Sequence, residues 1–301
     1  MKLLALLVGL AIERLATQLF HLRELRWLDR VIDRGFEQVS RFANWPPMLL
    51  VLILALVLVL PVLALRVLLG DALFGFAYFV FAVVVLFFSF GPRDIGEEIN
   101  EYCAAVESGD EENVRRTAKA LLERDAPESA GRSREIEAAV YVQANNRLFA
   151  VIFWFVLLGP LGAWAYRVTD LIRRRAVFRA ARDASSDGAA SLAVTAAEDL
   201  QGWVAWIPAR LTAFGYAMAG DFEGALSAWR GGGTVGVPAG VQNENLLERV
   251  GLGALALSPL PGESDAERAV RGAQAASRLV FRSLLIWAAV IAAMTLYGWS
   301  V

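Results

Sequence analysis

"PMLLVLILALVLVLPVLALRVLL", residues 47–69, carries one charged side chain, Arg66, in an otherwise apolar run. About 20 apolar residues coiled as helix cross the hydrocarbon core of a bilayer. A stretch of this length therefore reads as a membrane span and sets the class of the whole chain. Three further stretches meet the same criterion: 72–90, 148–166 and roughly 279–299. "LGDALF" alone separates the first two, with Gly70–Asp71 as the turn, so those helices are expected to form a tight hairpin. Two more candidates are interrupted by charge. Met1–Phe20 contains Glu13 and Arg14; Gly202–Gly220, "GWVAWIPARLTAFGYAMAG", contains Pro208 and Arg210. The first does not read as a cleaved signal peptide, because its charged pair falls where the apolar core should be and no A-x-A site follows.

The bulk composition agrees with the membrane class. Apolar residues make up 57% of the 301, far more than a soluble chain of this size carries. The net charge is −2, and the arginines form local clusters balanced by nearby acids, so there is no basic surface for nucleic acid. Cys103 and His21 are the only residues of their kinds. That rules out an internal disulfide and argues against zinc chemistry and a serine–histidine triad. Chemistry, if any, falls to carboxylates, Asn, Tyr, Lys or Arg.

Two polar regions interrupt the apolar ones. Residues 91–147 read as a cap of amphipathic helices. Ile95, Ile99, Tyr102, Cys103 and Val106 fall on one helical face. Asp110 caps a second helix with Glu111 and Glu112 in its first turn, Val114, Ala118, Leu121 and Leu122 as its apolar face, Arg124 at its end and Pro127 as its stop. A third helix from about Ser133 is expected to run into the 148–166 span. Residues 167–278 form the second polar region, with an interfacial helix at 202–220. Six arginines against one acid in "RVTDLIRRRAVFRAAR" (167–182) mark a cytoplasmic end. The 91–147 cap also carries cations near its membrane ends, and both ends of one span cannot be inside. A break or re-entrant hairpin at Gly159–Pro160 is the favoured resolution. "SSDGAAS" (185–191) and "GGGTVGVPAG" (231–240) are expected to be loops, with short helices in "DFEGALSAWR" and "NENLLERVGLGALAL".

Arg210 has two readings. Pro208 in the first turn of an interfacial helix, with Trp203 and Trp206 at headgroup depth, would let Arg210 snorkel to phosphates. Alternatively it points into a polar pocket and binds a phosphate or carboxylate. Glu13 and Arg14 are poorly placed to pair with each other on a helix, so Glu13 with Arg210 is a natural guess. Asn145, Asn146 and Arg147 stand at a membrane entrance, Asp170 with Arg173–Arg175 at a membrane edge, and Asp199 two turns before Trp206. The glycine-rich stretch lacks the GK[ST] of a P-loop. Asn243 and Glu248 carry oxygens suited to Mg²⁺, although two such residues alone are a weak signal.

Taken together, "LLVGLAIERL" (6–15), "LRWLDR" (25–30), "FAVIFWFVLLGPLGAWAYR" (149–167), "WIPARLTAFGYAMAGDFEGALSAW" (206–229) and "TLYGW" (295–299) resemble the AmpE family over essentially the whole chain. That family consists of inner-membrane proteins associated with regulation of the chromosomal β-lactamase response. It is in turn similar to the cobalamin-biosynthesis membrane enzyme CbiB, an adenosylcobinamide-phosphate synthase that forms an amide bond using ATP. The resemblance implies a polar face lined by Trp206–Arg210, Tyr166–Arg167 and the helix holding Asn243 and Glu248. Three motif groups of the synthase are missing: its G-D-P…H-P-V signature, its His-x-Ser-Pro-Asn run (here "PAGVQN") and its N-T-x-D-S-M segment, of which only Thr169 and Asp170 remain. Those losses argue that cobinamide synthesis is not retained.

The expectation is thus an all-α polytopic membrane protein of the bacterial inner (plasma) membrane, a single domain over residues 1–301. It would have four strong transmembrane helices, two polar-interrupted membrane or interfacial helices and small amphipathic caps facing mainly the cytoplasm. Its partners would be the bilayer and an anionic ligand, a nucleotide or a muropeptide. That ligand would lie among Glu13, Arg14, Asn145, Arg147, Tyr166, Arg167, Asp170, Asp199, Trp206, Arg210, Asn243 and Glu248. The alternatives are an ATP- and Mg²⁺-dependent ligase or transferase, and a structural partner of other membrane proteins or of its own copies.

Overall fold

Among the described residues every element is helical. A computed structural model describes residues 6, 7, 9, 26–40, 45–69, 75–91, 93–123, 132–182, 188–232, 236–258 and 260–297. The helices are α1 (Arg26–Ser40), α2 (Pro47–Leu69), α3 (Phe76–Ser89), α4 (Ile95–Ser108), α5 (Glu111–Leu122), α6 (Arg132–Ala144), α7 (Ala150–Leu158), α8 (Pro160–Arg182), α9 (Gly188–Ala219), α10 (Phe222–Arg230), α11 (Ala239–Leu255) and α12 (Asp265–Leu296). A π-helical turn, Asn145–Phe149, joins α6 to α7. Among the described residues, three helices are long and apolar enough to cross a bilayer: Pro47–Leu68, Arg132–Leu158 and Asp265–Leu296.

The expected count of four strong spans is not confirmed among the described residues, and each difference has a local cause. Within 72–90 the described helix is α3, 14 residues. At 1.5 Å per residue that is roughly 21 Å, short of the ~30 Å core. Its start is set by Gly75 at φ 82° and its end by Phe90 turning extended. The 148–166 stretch is not one helix. Gly159 takes φ 70°, ψ −156°, a conformation open to glycine, and Pro160 starts α8. The chain folds back there, and the backbone of Gly162 lies against Trp154, where a Cβ would meet the Trp154 carbonyl oxygen at 2.4 Å. The expected break at Gly159–Pro160 is thus present and makes α7 and α8 a hairpin. The last apolar stretch belongs to a helix that begins at Asp265, where Ser264 and Glu267 form a capping box.

The region 202–220 is also corrected. It is not a separate interfacial helix with Pro208 in its first turn; it is the second half of α9, a 32-residue helix with Pro208 inside it. Helix α9 starts at Gly188, so the expected loop at 185–191 is helical from 188 on. A proline within a helix leaves the carbonyl four residues earlier without its N–H. That carbonyl, on Val204, receives the indole Nε1–H of Trp154 at 3.2 Å. The helix continues because the hairpin supplies the missing donor.

The cap follows the sequence reading closely. Asp94 and Asp110 cap α4 and α5 through their carboxylates, accepting from Gly96 N and Asn113 N. Ile99, Tyr102 and Cys103 of α4, and Val114, Ala118 and Leu121 of α5, are buried. Arg124 and Pro127 lie outside the described residues. The cap's apolar faces share one core with Tyr141 and Phe149, Tyr216 of α9, Leu247 and Val250 of α11 and Leu279 of α12. A second core joins α1, α2, α8 and α9, where Ile32, Val51, Trp164 and Val168 are buried. A third gathers Leu86, Phe90, Ile152, Phe155 and Tyr166. Helices α9 and α11 touch at two glycines, since a Cβ on Gly202 would stand 2.3 Å from Gly240 N.

Trp154→Phe should destabilise the protein by about 1–3 kcal/mol, because the Val204 carbonyl is left buried without a donor. In a Pro208→Ala background the restored backbone N–H takes up that carbonyl, and the same substitution should cost markedly less. Thermal unfolding of the four proteins in detergent completes the cycle.

Candidate functional site

Where the cap meets the open ends of the α7–α8 hairpin, four arginines and three carboxylates converge. Asp170 places Arg173 and Arg174 on its own face of α8 at i+3 and i+4, and Arg167 one turn before. Its carboxylate, fully buried, accepts from Arg167 Nη1 at 2.8 Å, Arg174 Nε at 2.9 Å and Arg173 Nη2 at 3.2 Å. On the other arm Arg147, in the π turn, donates from Nε to Gln143 at 2.9 Å, from Nη1 to Glu98 of α4 at 2.7 Å and from Nη2 to Glu123 at 3.3 Å. The aliphatic stem of Arg147 packs against Gly91, where a Cβ would meet it at 2.8 Å.

Glu123 links the two arms. It caps the C-terminus of α5 at φ 56°, a left-handed conformation in which glycine is the usual residue. Its carboxylate takes Arg147 from one arm, and Arg174 at 2.6 Å and Arg173 at 3.5 Å from the other. Both arms of the hairpin thus end on one cap residue, at the same side of the hairpin. The sequence-level conflict between two cationic flanks of a single span disappears, because residues 147 and 173 are not separated by a crossing.

The charges set the protonation behaviour of the junction. Burial alone pushes the Asp170 carboxyl up, but Arg174, Arg173 and Arg167 together hold it well below the usual carboxylate range. At Glu123 burial is again opposed and outweighed by Arg174, Arg147 and Arg173. At Glu98 burial wins over Arg147 and the carboxyl is raised. Burial draws the Arg167 guanidinium down to about 10 against the pull of Asp170. Donors exceed acceptors here. Arg167 Nε, Arg173 Nε and Arg174 Nη2 are buried with no hydrogen-bond partner among the described residues.

The residues singled out from the sequence fall in separate places. Arg147, Arg167 and Asp170 meet in the junction. Asn145 is buried beside it, donating to Asn146 Oδ1 and accepting from Thr212 Oγ1, both at 3.1 Å. Tyr166 is buried with its hydroxyl accepting from Gln201 at 3.3 Å. Arg210 and Asn243 form a second group. Asn243 Oδ1 accepts from Arg210 Nη1 at 3.0 Å while its Nδ2 donates to the Gly202 carbonyl at 2.8 Å. Arg210 Nη1 also bonds the Trp206 carbonyl at 2.9 Å, and its guanidinium lies 3.7 Å from the Trp206 ring centroid. Asn243 Oδ1 thus faces the Arg210 guanidinium, and Glu248 stands one turn further along α11. Glu248 and Asp199 are half-buried and make no hydrogen bond or ion pair among the described residues. Glu13 and Arg14 lie outside the described residues, as does the suggested Glu13–Arg210 pair. Sequence reasoning missed Glu98 and Glu123. The i+3 and i+4 spacing of Arg173 and Arg174 from Asp170 was the available signal for the rest.

Glu123→Gln should destabilise the protein by about 1–3 kcal/mol, since it removes one of the two carboxylates that each of Arg147, Arg173 and Arg174 bonds. Glu101→Gln, which breaks the exposed Arg93–Glu101 pair, should change stability by less than about 1 kcal/mol. Glu123 and Asp170 titrate below their unfolded values, so their contribution is complete above the ordinary carboxylate range and is lost as pH falls through the lowered values. Cap protection against proteolysis should therefore hold to about pH 5 and weaken below about pH 4.

Comparison with known proteins gives a consistent relationship. A cobalamin biosynthesis protein CobD of Chromobacterium violaceum is 27% identical over 239 residues, covering 72% of this chain and 71% of the relative. One of Stutzerimonas stutzeri is 29% identical over 150 residues, 49% of this chain and 47% of the relative, so the chain spans about half of that protein. No solved structure matches. A family model described as "Regulatory signalling modulator protein AmpE" matches residues 1–301, and the chain belongs to the AmpE family.

Proposed function

We propose that this protein is an inner-membrane regulator in β-lactamase induction and cell-wall signalling, and that it reads an anionic ligand where the cap meets the hairpin. The family to which it belongs supports the regulatory part. The ligand part rests on one observation: three buried guanidinium N–H groups, on Arg167, Arg173 and Arg174, lack acceptors among the described residues. A buried donor without a partner costs about 1–3 kcal/mol, and guanidinium forks match carboxylate and phosphate oxygens. A nucleotide or a muropeptide carries such oxygens. By competing with Glu123 and Asp170 for the same arginines, the ligand would loosen or tighten the hold of the cap on the hairpin. Occupancy would thereby become a change of shape that a partner can read.

The likeness to cobalamin biosynthesis proteins favours a second reading, an ATP- and Mg²⁺-dependent ligase or transferase. The two separate on turnover: an enzyme consumes ATP stoichiometrically with product, and a sensor binds without consuming.

Thermal unfolding of the purified protein with Mg²⁺–ATP and, separately, with a muropeptide is the direct test. One of them should raise the midpoint of the wild type by several degrees at saturation, and Arg173→Gln should lose the rise. No shift from either probe, with both proteins folded, would remove the ligand site and leave the family assignment in place.

A further inference from the structure

A different arginine sits in a different setting. Along α9, Trp203, Trp206, Ile207, Leu211, Phe214 and Met218 form one exposed stripe, each between 43% and 59% accessible. In a chain of this class such a stripe faces lipid. Arg210 lies within it. Beside it runs α11, which carries Glu244 and Glu248 on its accessible side. An apolar stripe flanked by a polar helix is the pattern of a membrane–water boundary, and tryptophans concentrate at that depth.

Two features separate Arg210 from an ordinary surface arginine. First, it has no carboxylate partner among the described residues; its bonds go to a backbone carbonyl and to the amide oxygen of Asn243. A cation at a membrane edge without a counter-ion is unfavourable until one arrives. Second, its guanidinium is held in place. The Trp206 ring lies under it, and Asn243 is itself anchored by the Gly202 carbonyl across the glycine contact of α9 and α11. Both of its hydrogen bonds among the described residues use Nη1, which leaves Nε and Nη2 for another acceptor. A fixed, planar guanidinium with no counter-ion among the described residues suits, at the bilayer edge, bidentate binding of a phosphate oxygen pair.

We propose that Arg210, set by Trp206 and Asn243, binds the phosphate of an anionic phospholipid headgroup. The site uses none of the arginines of the cap–hairpin junction. Lipid is favoured over a soluble phosphate because the acceptor must approach between exposed tryptophans, on a surface that acyl chains cover. An acidic lipid supplies the missing counter-ion, which a zwitterionic headgroup offers only with its own ammonium attached. Arg210→Lys keeps the charge and loses the planar fork, so it should retain part of the effect.

The test uses the full-length protein in detergent micelles, titrated with phosphatidylglycerol, with phosphatidylcholine or with inorganic phosphate, and read by thermal unfolding and by bound lipid in native mass spectrometry. Phosphatidylglycerol should raise the midpoint and phosphatidylcholine should not. Arg210→Gln should weaken the phosphatidylglycerol response at least about tenfold in concentration. Arg66→Gln, at an exposed arginine on α2, should keep it. Lipid-free unfolding of Arg210→Gln shows whether that variant is folded, and if it is not, Asn243→Ala and Trp206→Leu carry the same expectation. An equal response in the Arg210, Asn243 and Trp206 variants would overturn the proposal. So would a response reproduced by inorganic phosphate alone, which would assign the site to a soluble anion.

Discussion

Glu123 holds together three pieces of chain that otherwise have little reason to stay in register. The cap, the outgoing arm of the hairpin and the returning arm each bring charge to it: the carboxylate from the cap, Arg147 from one arm, Arg173 and Arg174 from the other. Hydrophobic packing is non-directional and would tolerate a cap shifted by a turn. A carboxylate shared by three guanidiniums does not tolerate it, since sliding the cap would strand several buried charges at once. The backbone at Glu123 accepts a left-handed conformation that glycine would adopt more easily, and glycine has no carboxylate to offer. The residue type is therefore fixed by charge rather than by backbone preference.

That arrangement also explains why so many charges are tolerated next to apolar helices. Asp170 alone would be expensive to bury; with three arginines around it, the ionised form is the stable one. The opposite outcome at Glu98, where burial outweighs a single arginine, shows how the number of partners decides the balance.

How far the sequence could be read depended on the range of the interaction. Amphipathic spacing located α4 and α5, and Asp110 the start of α5, because a cap and a buried face act within a turn or two. Gly159–Pro160 announced the hairpin for the same local reason. Counting apolar residues left the spans undecided, since hydropathy cannot see that Phe90 turns extended or that 148–166 is folded in two. Pro208 misled for a related reason. A proline reads as a boundary, and the donor that lets α9 pass through it is a tryptophan 50 residues away along the chain. Of the candidate residues, Arg147, Arg167 and Asp170 lie together in the junction while Arg210 and Asn243 lie apart from it, a division the sequence did not reveal, and Glu123 carried no signal. Long-range ion pairs between helices leave no periodicity behind.

The indole that completes α9 has a mechanical meaning. In an uninterrupted helix, bending at one point stretches backbone hydrogen bonds that the helix needs. At Val204 the bond belongs to a side chain on another helix, so α9 can flex there at the cost of one side-chain contact. The softest joint in α9 is thus fastened to the hairpin, close to where it turns back. Any movement of the hairpin arms would be transmitted to the second half of α9, and with it to Arg210 and the membrane edge.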